Sequence, residues 1–548
     1  MTTLPTLKLK FHFLVIFIAL FIYCLGNSSF LEQVNFVYPV HENLGFLIAL
    51  STVAILVIVI LATLLSLIIP SKIALAILLL VSASAGYFVD SFGVIIDDVM
   101  VQSLFETNTN EAFDLVSATM FMRIFLCFLL PSLLLYFIEL PQQALKVTII
   151  QKSKLLFFSL VCISLMLAIF SSHFTTFFRE HKPLRYYLNP IYPVYSFGFF
   201  INSHFKSEDL SELKTYDFTK IATNRIKDKL VIVVVGETVR ATNFQLNQYQ
   251  RATTPLLSKR DDIISYTNYS SCGTSTAISV PCMFSFNGKD NFDVSEAKNK
   301  ENALDILAKA NVNVLWRDNN SSSKGVADRV NYQSFKSSET NTVCDTECRD
   351  IGMLAGLDNY LAENIGDTVI VLHQMGNHGP AYYKRYPKQF EVFQPACQTN
   401  ELSQCSQQEI INAYDNAIVY TDFFLNQTIQ FLEKHNATYD TTMLYVSDHG
   451  ESLGENGIYL HGLPYFIAPK NQTHVPMVAW FGNDSSISME RSNDFSQQAL
   501  NHDSLSYSLI DLFDISLANN SSPYPLLFPK KETLLASEST SHSTASEQ

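Results

Sequence analysis

The chain is poor in charge. Only 16% of its 548 residues are Asp, Glu, Lys or Arg, against 48% hydrophobic residues. An ordinary soluble domain carries about 25% charged residues, so part of this chain has no need of water. Cations are the scarcer sign: 37 basic residues face 51 acidic ones, a net charge of -14. That deficit excludes general attraction to nucleic acid or to an anionic lipid surface. An anionic substrate must be held by local Lys, His or metal. No CxxC knuckle occurs, so the cysteines do not offer a zinc ribbon. There is no internal repeat. Gly450, Gly454 and Gly457 read as turns rather than as a nucleotide loop.

What cysteine there is falls in two groups. Cys24, Cys127 and Cys162 lie in apolar runs, whereas the other six lie in polar sequence as local pairs: Cys272 and Cys282, Cys344 and Cys348, Cys397 and Cys405. Three such pairs read as three disulfides and place that part of the chain in an oxidising compartment.

Five apolar runs fill the first third: Phe11–Leu25, Leu44–Ile69, Ile73–Ile96, Ala118–Leu140 and Leu155–Phe178. Most approach or exceed the ~20 residues needed to cross a bilayer. The first follows Lys8 and Lys10 and reads either as a signal peptide or, with four spans behind it, as an uncleaved anchor. Lys8, Lys10, Lys72, Lys146, Lys152 and Lys154 fall on one side of these runs. Glu32, Asp97, Asp98, Glu106, Glu111 and Asp114 fall on the other. The excess of lysine puts the N-terminus in the cytoplasm. Five crossings then leave everything after Phe178 outside, in agreement with the cysteines.

Residues 179–228 form an aromatic bridge, broken by Pro190 and Pro193, that suits either a membrane surface or a linker. From Lys229 the rhythm changes. Short apolar runs at 230–235, 312–316, 368–373, 442–447 and 476–480 alternate with helix-like stretches such as Glu301–Ala310 and Gln408–Lys434. This is the pattern of an α/β doubly wound, mainly parallel sheet covered on both faces. The tail 532–548 is rich in Ser, Thr and Glu and is expected to be disordered.

In such a sheet, ligands sit beyond the carboxyl ends of the strands. Glu237 follows the first run. Asp318, Asn319, Asn320 and Lys324 follow the second, His373 and His378 the third. Asp448 and His449 follow the fourth, with His461 further on. Glu237, Asp448 and His449 supply two carboxylates and an imidazole, a set suited to Zn²⁺ with one position left for a hydroxyl. A hydroxyl is offered by the segment Cys-Gly-Thr-Ser-Thr-Ala-Ile-Ser-Val-Pro-Cys, residues 272–282. A disulfide across its ends would close a loop and aim one threonine, Thr274 or Thr276, at metal and phosphorus. A structural hairpin is the alternative. Zinc beside the oxygen would lower its pKa. Lys324, His378 and His461 are placed to neutralise phosphoryl oxygens or protonate a leaving group.

With these residues assembled, the chain resembles the phosphoethanolamine–lipid A transferases, the family that includes the mobile colistin-resistance enzymes. The stretches that carry the resemblance are VVVGETVRA, SCGTSTAISVPCMFS, WRDNNSSSKGV, GNHGPAYYKRYP and SDHGESLGENGIYLHGLPYFIAP. The resemblance implies a five-helix transmembrane domain (1–178), a bridging juxtamembrane segment (179–228) and a periplasmic zinc-dependent catalytic domain of alkaline-phosphatase type (229–531). It makes Thr276 the nucleophile and fourth zinc ligand beside Glu237, Asp448 and His449. Asn320, Ser321, Lys324, His378 and His461 match positions that handle phosphoethanolamine, and His378 and His461 are placed to take a second zinc during turnover. Thr107 and Glu111 match lipid-handling positions, although Ser103 stands where the family has Asn. The Cys344–Cys348 pair is spaced more tightly than in the family.

The implied reaction moves phosphoethanolamine from phosphatidylethanolamine to a lipid A phosphate through a covalent threonine intermediate. It would lower the charge of lipopolysaccharide and give polymyxin and colistin resistance, in a multi-pass protein of the bacterial inner membrane. Neither nucleic acid nor a particular protein partner is implied. Two other readings stay open: a phosphoglycerol transferase or a transferase acting on a core sugar, and a non-enzymatic sensor keeping zinc for stability. A sulfatase would need a Cys/Ser-x-Pro-x-Arg setting, which does not surround Thr276.

Overall fold

The first apolar run breaks at a buried asparagine. In the computed structural model, which describes residues 7–106, 109–207, 212–221, 225–518 and 522–531, α1 (Phe11–Leu25) and α2 (Ser28–Val37) meet at 67°. Asn27 between them donates to the Ile22 and Asn189 carbonyls (3.1 and 3.0 Å) and accepts the Asn189 N–H at 2.7 Å. Those bonds satisfy a polar group that would otherwise be costly to bury, and they tie the bend to the bridge segment. Gly26 permits the approach, since a Cβ there would lie 2.2 Å from Ser82 Oγ.

Among the described residues, four helices are long and apolar enough to cross a membrane: α3 (Val40–Ile68), α4 (Ser71–Phe92), α5 (Ala118–Tyr136) and α6 (Leu145–Ile169). The bent α1–α2 pair makes a fifth span if counted as one. The last span is shifted from its expected place at Leu155–Phe178. It begins at Leu145 and ends at Ile169, and Ser171–Glu180 is a separate helix. Lys152, which lies ahead of the expected span, is buried within this helix and donates to the Ser66 carbonyl and to Ser71 Oγ. Within α5, Phe125–Leu129 is π-helical ahead of Pro131, whose missing N–H cannot serve a regular turn. Lys8, Lys72 and Lys152 gather at one end of the bundle. Leu7–Lys8 pairs with Ile138–Glu139, Lys72 Nζ donates to the Tyr136 carbonyl (3.1 Å), and Lys152 sits at the α3–α4 turn.

The bridge is folded rather than open linker. A 3-10 turn at Lys182–Tyr187 and a helix at Ile191–Ser207 follow Ser171–Glu180, and Phe174, Phe177 and Leu184 bury into the bundle core.

The soluble part is one eight-stranded sheet. Its strands are β1 (Asp228–Gly236), β2 (Ile263–Ser270), β3 (Asn313–Asp318), β4 (Asn331–Ser334), β5 (Thr368–His373), β6 (Tyr439–Ser447), β7 (His474–Phe481) and β8 (Leu500–Asn501). They lie in the order β8-β2-β7-β6-β1-β5-β3-β4. All five apolar runs are strands, and the helices run over Ala303–Lys309 and Gln407–His435. Along β1, Val231, Val233 and Val235 enter the core on one face while Leu230, Ile232 and Val234 enter the other. This explains its unbroken apolar run. β7 runs antiparallel to both β6 and β2. The chain reaches it through a small hairpin, Ser452–Leu453 against Tyr459–Leu460, with no crossover helix to turn it parallel.

α4 ends in the soluble domain's core. Tyr87, Phe92 and Val94 share one apolar cluster with Tyr382, Leu453 and Leu460. Gly93 caps the helix at φ +69°, where a Cβ would lie 3.0 Å from the Gly457 carbonyl.

Candidate active site

The carboxyl ends of β6, β1, β5 and β3 are adjacent in the sheet, so the residues that follow them converge. Glu237 leaves β1 and Asp448 and His449 leave β6. The three offer ligand atoms within 4.8 Å of one another, and all are fully buried. Asn320, after β3, donates to Glu237 Oε2 at 2.7 Å and to the Gln374 carbonyl at 2.8 Å. Its side chain therefore braces the carboxylate instead of lining the cavity.

The two threonines left open by spacing differ in their hydrogen bonds. Thr274 Oγ1 donates to the Leu463 carbonyl at 2.7 Å. Thr276, the first residue of the helix Thr276–Phe284, places Oγ1 3.2 and 3.3 Å from the Glu237 oxygens and 3.4 Å from His449 Nε2. The loop is held from behind: Cys272 is bonded to Cys282, Gly273 N–H donates to Ser279 Oγ at 2.9 Å, and Cys272 N–H donates to His502 Nδ1 at 3.1 Å. Cys344–Cys348 and Cys397–Cys405 are also bonded, whereas Cys24, Cys127 and Cys162 are free.

The electrostatics call for a cation. Asp448 Oδ1 accepts the Thr238 and His449 N–H groups at 3.1 and 2.7 Å, while Oδ2, 3.4 Å from His449 Nε2, is buried with no hydrogen-bond partner among the described residues. Burial, and then the charge of Glu237, pushes the Asp448 carboxyl up. Burial also opposes the charge on Glu237, but the imidazole of His449 holds it well below the usual carboxylate range. Burial would neutralise His449, yet Asp448 and Glu237 hold it above its ordinary range. Two buried carboxylates compete for one imidazolium. His449 Nδ1–H donates to the Gly450 carbonyl at 2.9 Å, so Nε2 faces the carboxylates, and a metal ion displacing its proton would take the lone pair. Two carboxylates, that Nε2 and a hydroxyl form the donor set of a divalent metal ion, and the orphaned Asp448 oxygen fits it.

Beside Thr276 lies a cavity of about 130 Å³. Ser321, Lys324, His378 and His461 line its polar side, and Phe88, Val94, Met100 and Leu115 of the membrane domain line its apolar side, with Ser103 among them. His461 Nδ1–H donates to Glu451 Oε2 at 2.9 Å, and Glu451 Oε1 accepts Tyr382 O–H at 2.6 Å. His378 Nδ1 is buried without a hydrogen-bond partner among the described residues. Thr107 and the side chain of Glu111 lie outside the described residues.

Glu451, Tyr382 and His502 belong to this site and were missed from sequence. Glu451 had a signal, three residues beyond Asp448 in DHGES. His502 had none, because it approaches from a distant strand end. Asp318 and His373 pair with each other at 2.9 Å, fully buried, rather than facing the cavity.

Two family models match. "Phosphoethanolamine transferase EptA/EptB" covers residues 53–205 and "Sulfatase" covers 229–515. The chain is similar to the phosphatidylethanolamine transferase Mcr-1 of Escherichia coli, at 43% identity over 92% of this chain and 95% of that protein. It is also similar to the phosphoethanolamine transferase EptA of Escherichia coli strain K12, at 37% identity over 84% and 85%. Its structure resembles the integral membrane lipooligosaccharide phosphoethanolamine transferase A of Neisseria meningitidis, with a TM-score of 0.88 at 30% identity over 93% of this chain and 96% of that one. With a sulfatase-type domain seated on an EptA/EptB-type membrane domain and relatives matched along nearly their full length, the chain belongs to the phosphoethanolamine transferase family.

Proposed function

We propose that this chain moves phosphoethanolamine from phosphatidylethanolamine to a lipid A phosphate through a covalent intermediate on Thr276, with zinc in the site. The observation that carries the reading is the position of Thr276 Oγ1. It lies against Glu237 and His449 at the floor of a cavity whose opposite wall is apolar membrane-domain surface. A lipid donor can there keep its acyl part on the apolar wall and its phosphorus at the hydroxyl.

In the first step the Thr276 oxygen bonds to phosphorus, its proton passes toward Glu237, and the phosphorus–glycerol oxygen bond breaks. Diacylglycerol leaves with a proton from His378 or His461, which face the cavity. In the second step an oxygen of the lipid A phosphate bonds to the same phosphorus and gives its proton to the deprotonated histidine, the bond to Thr276 breaks, and the threonine oxygen takes back the proton passed to Glu237. Glu237, Asp448, His449 and Thr276 would hold the ion, which when bound supplies Lewis acidity at the hydroxyl and offsets phosphoryl charge. Lys324 and Ser321 sit where phosphoryl oxygens would lie, and Glu451 fixes His461. Thr107 and Glu111 are assigned to lipid handling. Capping a phosphate with an ammonium removes charge that cationic polymyxins bind, which gives colistin resistance.

The chain is divided at 178, 228 and 531 into membrane, bridging, catalytic and tail parts. It lies in the bacterial inner membrane with the N-terminus in the cytoplasm and the catalytic domain in the periplasm. The lysine-rich end of the bundle and the three disulfides support that orientation. The test is mass spectrometry of lipid A from cells expressing the chain or its Thr276→Ala variant. A phosphoethanolamine adduct that persists in the variant sinks the nucleophile assignment, and its absence with the native chain sinks the acceptor.

A further inference from the structure

We propose that a second cavity, separated from Thr276 by the 319–321 loop, docks the phosphorylated sugar of the acceptor before transfer; the proposal rests on the transferase reading above. This cavity has a volume of about 450 Å³ and lies between the outer loop of the membrane domain, at Phe113 and Asp114, and the Cys344–Cys348 loop. Two loops contribute to both cavities. Asn319 and Met375 face the second cavity, while Ser321 and His378, a few residues on in the same two loops, face the first. Lys336 lines the second cavity and donates from Nζ to the carbonyl of Ser321, a lining residue of the first, at 2.8 Å.

The charge balance selects the ligand. Each acid at the cavity already has a cation: Asp345 pairs with Arg349, Glu347 with Arg385, and Asp114 with Lys384 (2.5 Å) and Arg385 (2.7 Å). Lys336 has no carboxylate partner among the described residues. An entering cation would find the acids occupied, whereas a phosphate monoester would meet Lys336 uncompensated. Glu347 Oε2 is buried without a hydrogen-bond partner among the described residues, an acceptor suited to a sugar hydroxyl. A phosphate on a hydroxylated sugar satisfies both. The position beside the membrane domain suits a lipid-borne ligand over a free anion.

The experiment uses the full chain in proteoliposomes, with phosphatidylethanolamine as donor and bis-phosphorylated lipid A as acceptor. Lys336→Glu is expected to raise the acceptor KM by about tenfold while the donor KM moves less than about twofold, and Lys336→Arg to restore most of the loss. An unchanged acceptor KM overturns the proposal. So does an equal rise in both constants, which would mean that Lys336 only braces Ser321. Inorganic phosphate is the second probe. Competition with lipid A in the native chain, weakened in Lys336→Glu, supports the site. Lys336-dependent phosphate binding with no effect on the acceptor KM means a free-anion site and overturns it. Native chain that releases no diacylglycerol from the donor sinks the transferase reading and this proposal together, and that result is told apart because it appears before any acceptor is added.

Discussion

His502 accepts the backbone N–H of Cys272 on Nδ1 and donates Nε2–H to the Ser447 carbonyl, both at 3.1 Å. One imidazole thus joins the loop that carries Thr276 to the strand that carries Asp448 and His449. Only the neutral ring can accept on one nitrogen and donate from the other.

Burial pushes the His502 pKa down to about 3, from an ordinary value of 6.5. Between those values the unfolded chain binds a proton that the folded chain refuses. The contribution of His502 is therefore complete above about pH 6.5 and drains away toward pH 3, at up to about 1.4 kcal/mol per pH unit. The apparent Tm of the detergent-solubilised chain should fall on acidification from pH 7 to pH 5. His502→Gln should start lower and fall less steeply. Parallel slopes for the two proteins would assign the acid sensitivity to other groups.

The two threonines should behave oppositely. Thr276→Ala should abolish transfer, by about 10³-fold or more, with the fold and metal content kept. Thr274→Val removes the bond to Leu463, should cost about 1 kcal/mol of stability, and should leave measurable turnover. Lipid A mass spectrometry and thermal melts on both variants check the pair. Turnover lost in Thr274→Val with the Tm unchanged would reopen the choice of nucleophile.

Much of this architecture was legible in the chain because apolar periodicity reports burial directly. The run at 230–235 is apolar throughout because both faces of β1 are covered. Glu237, Asp448 and His449 were found because strand ends in such a sheet point to one place. What periodicity does not encode is which backbone groups a side chain satisfies. Thr274 and Thr276 are equal by spacing and are separated only by the Leu463 carbonyl. The antiparallel course of β7 and the burial of Lys152 against the Ser66 carbonyl within α6 leave no mark in the apolar pattern. Those are tertiary facts.

Asp448 Oδ2 tests the metal. Asp448→Asn can keep the Oδ1 acceptor for the Thr238 and His449 amides and replaces the orphaned oxygen with an NH₂ that cannot ligate. Zinc affinity should fall by about 100-fold or more, with activity falling in step. Chelation of the native chain should lower its Tm, zinc should restore it, and the variant should respond to neither. Metal analysis showing stoichiometric zinc in Asp448→Asn would remove this carboxylate from the ligand set.

The two domains are joined at a charged seam. Asp114 of the outer membrane-domain loop accepts from Lys384 at 2.5 Å and from Arg385 at 2.7 Å. Asn400 Nδ2 donates to the Asp114 and Val116 carbonyls at 2.8 and 2.9 Å, and Glu401 accepts the Ala118 N–H at 2.9 Å. Arg385 is buried and also pairs with Glu347. Burial opposes the charge on Asp114, but Arg385 and Lys384 hold its carboxyl below the usual range. Asp114→Ala would leave Arg385 buried with half its compensation, at a cost of about 3 kcal/mol. Because both partners lie at the seam, that cost should appear as release of the loop from the soluble domain rather than as global unfolding. Amide exchange should accelerate over residues 109–118 and 399–401, while β1 and β6 stay protected. The double variant Asp114→Ala, Arg385→Leu should lose less than the sum of the two single changes, since neither charge is then stranded. Exchange that rises uniformly through the sheet would show that the pair stabilises the soluble domain itself and not the seam.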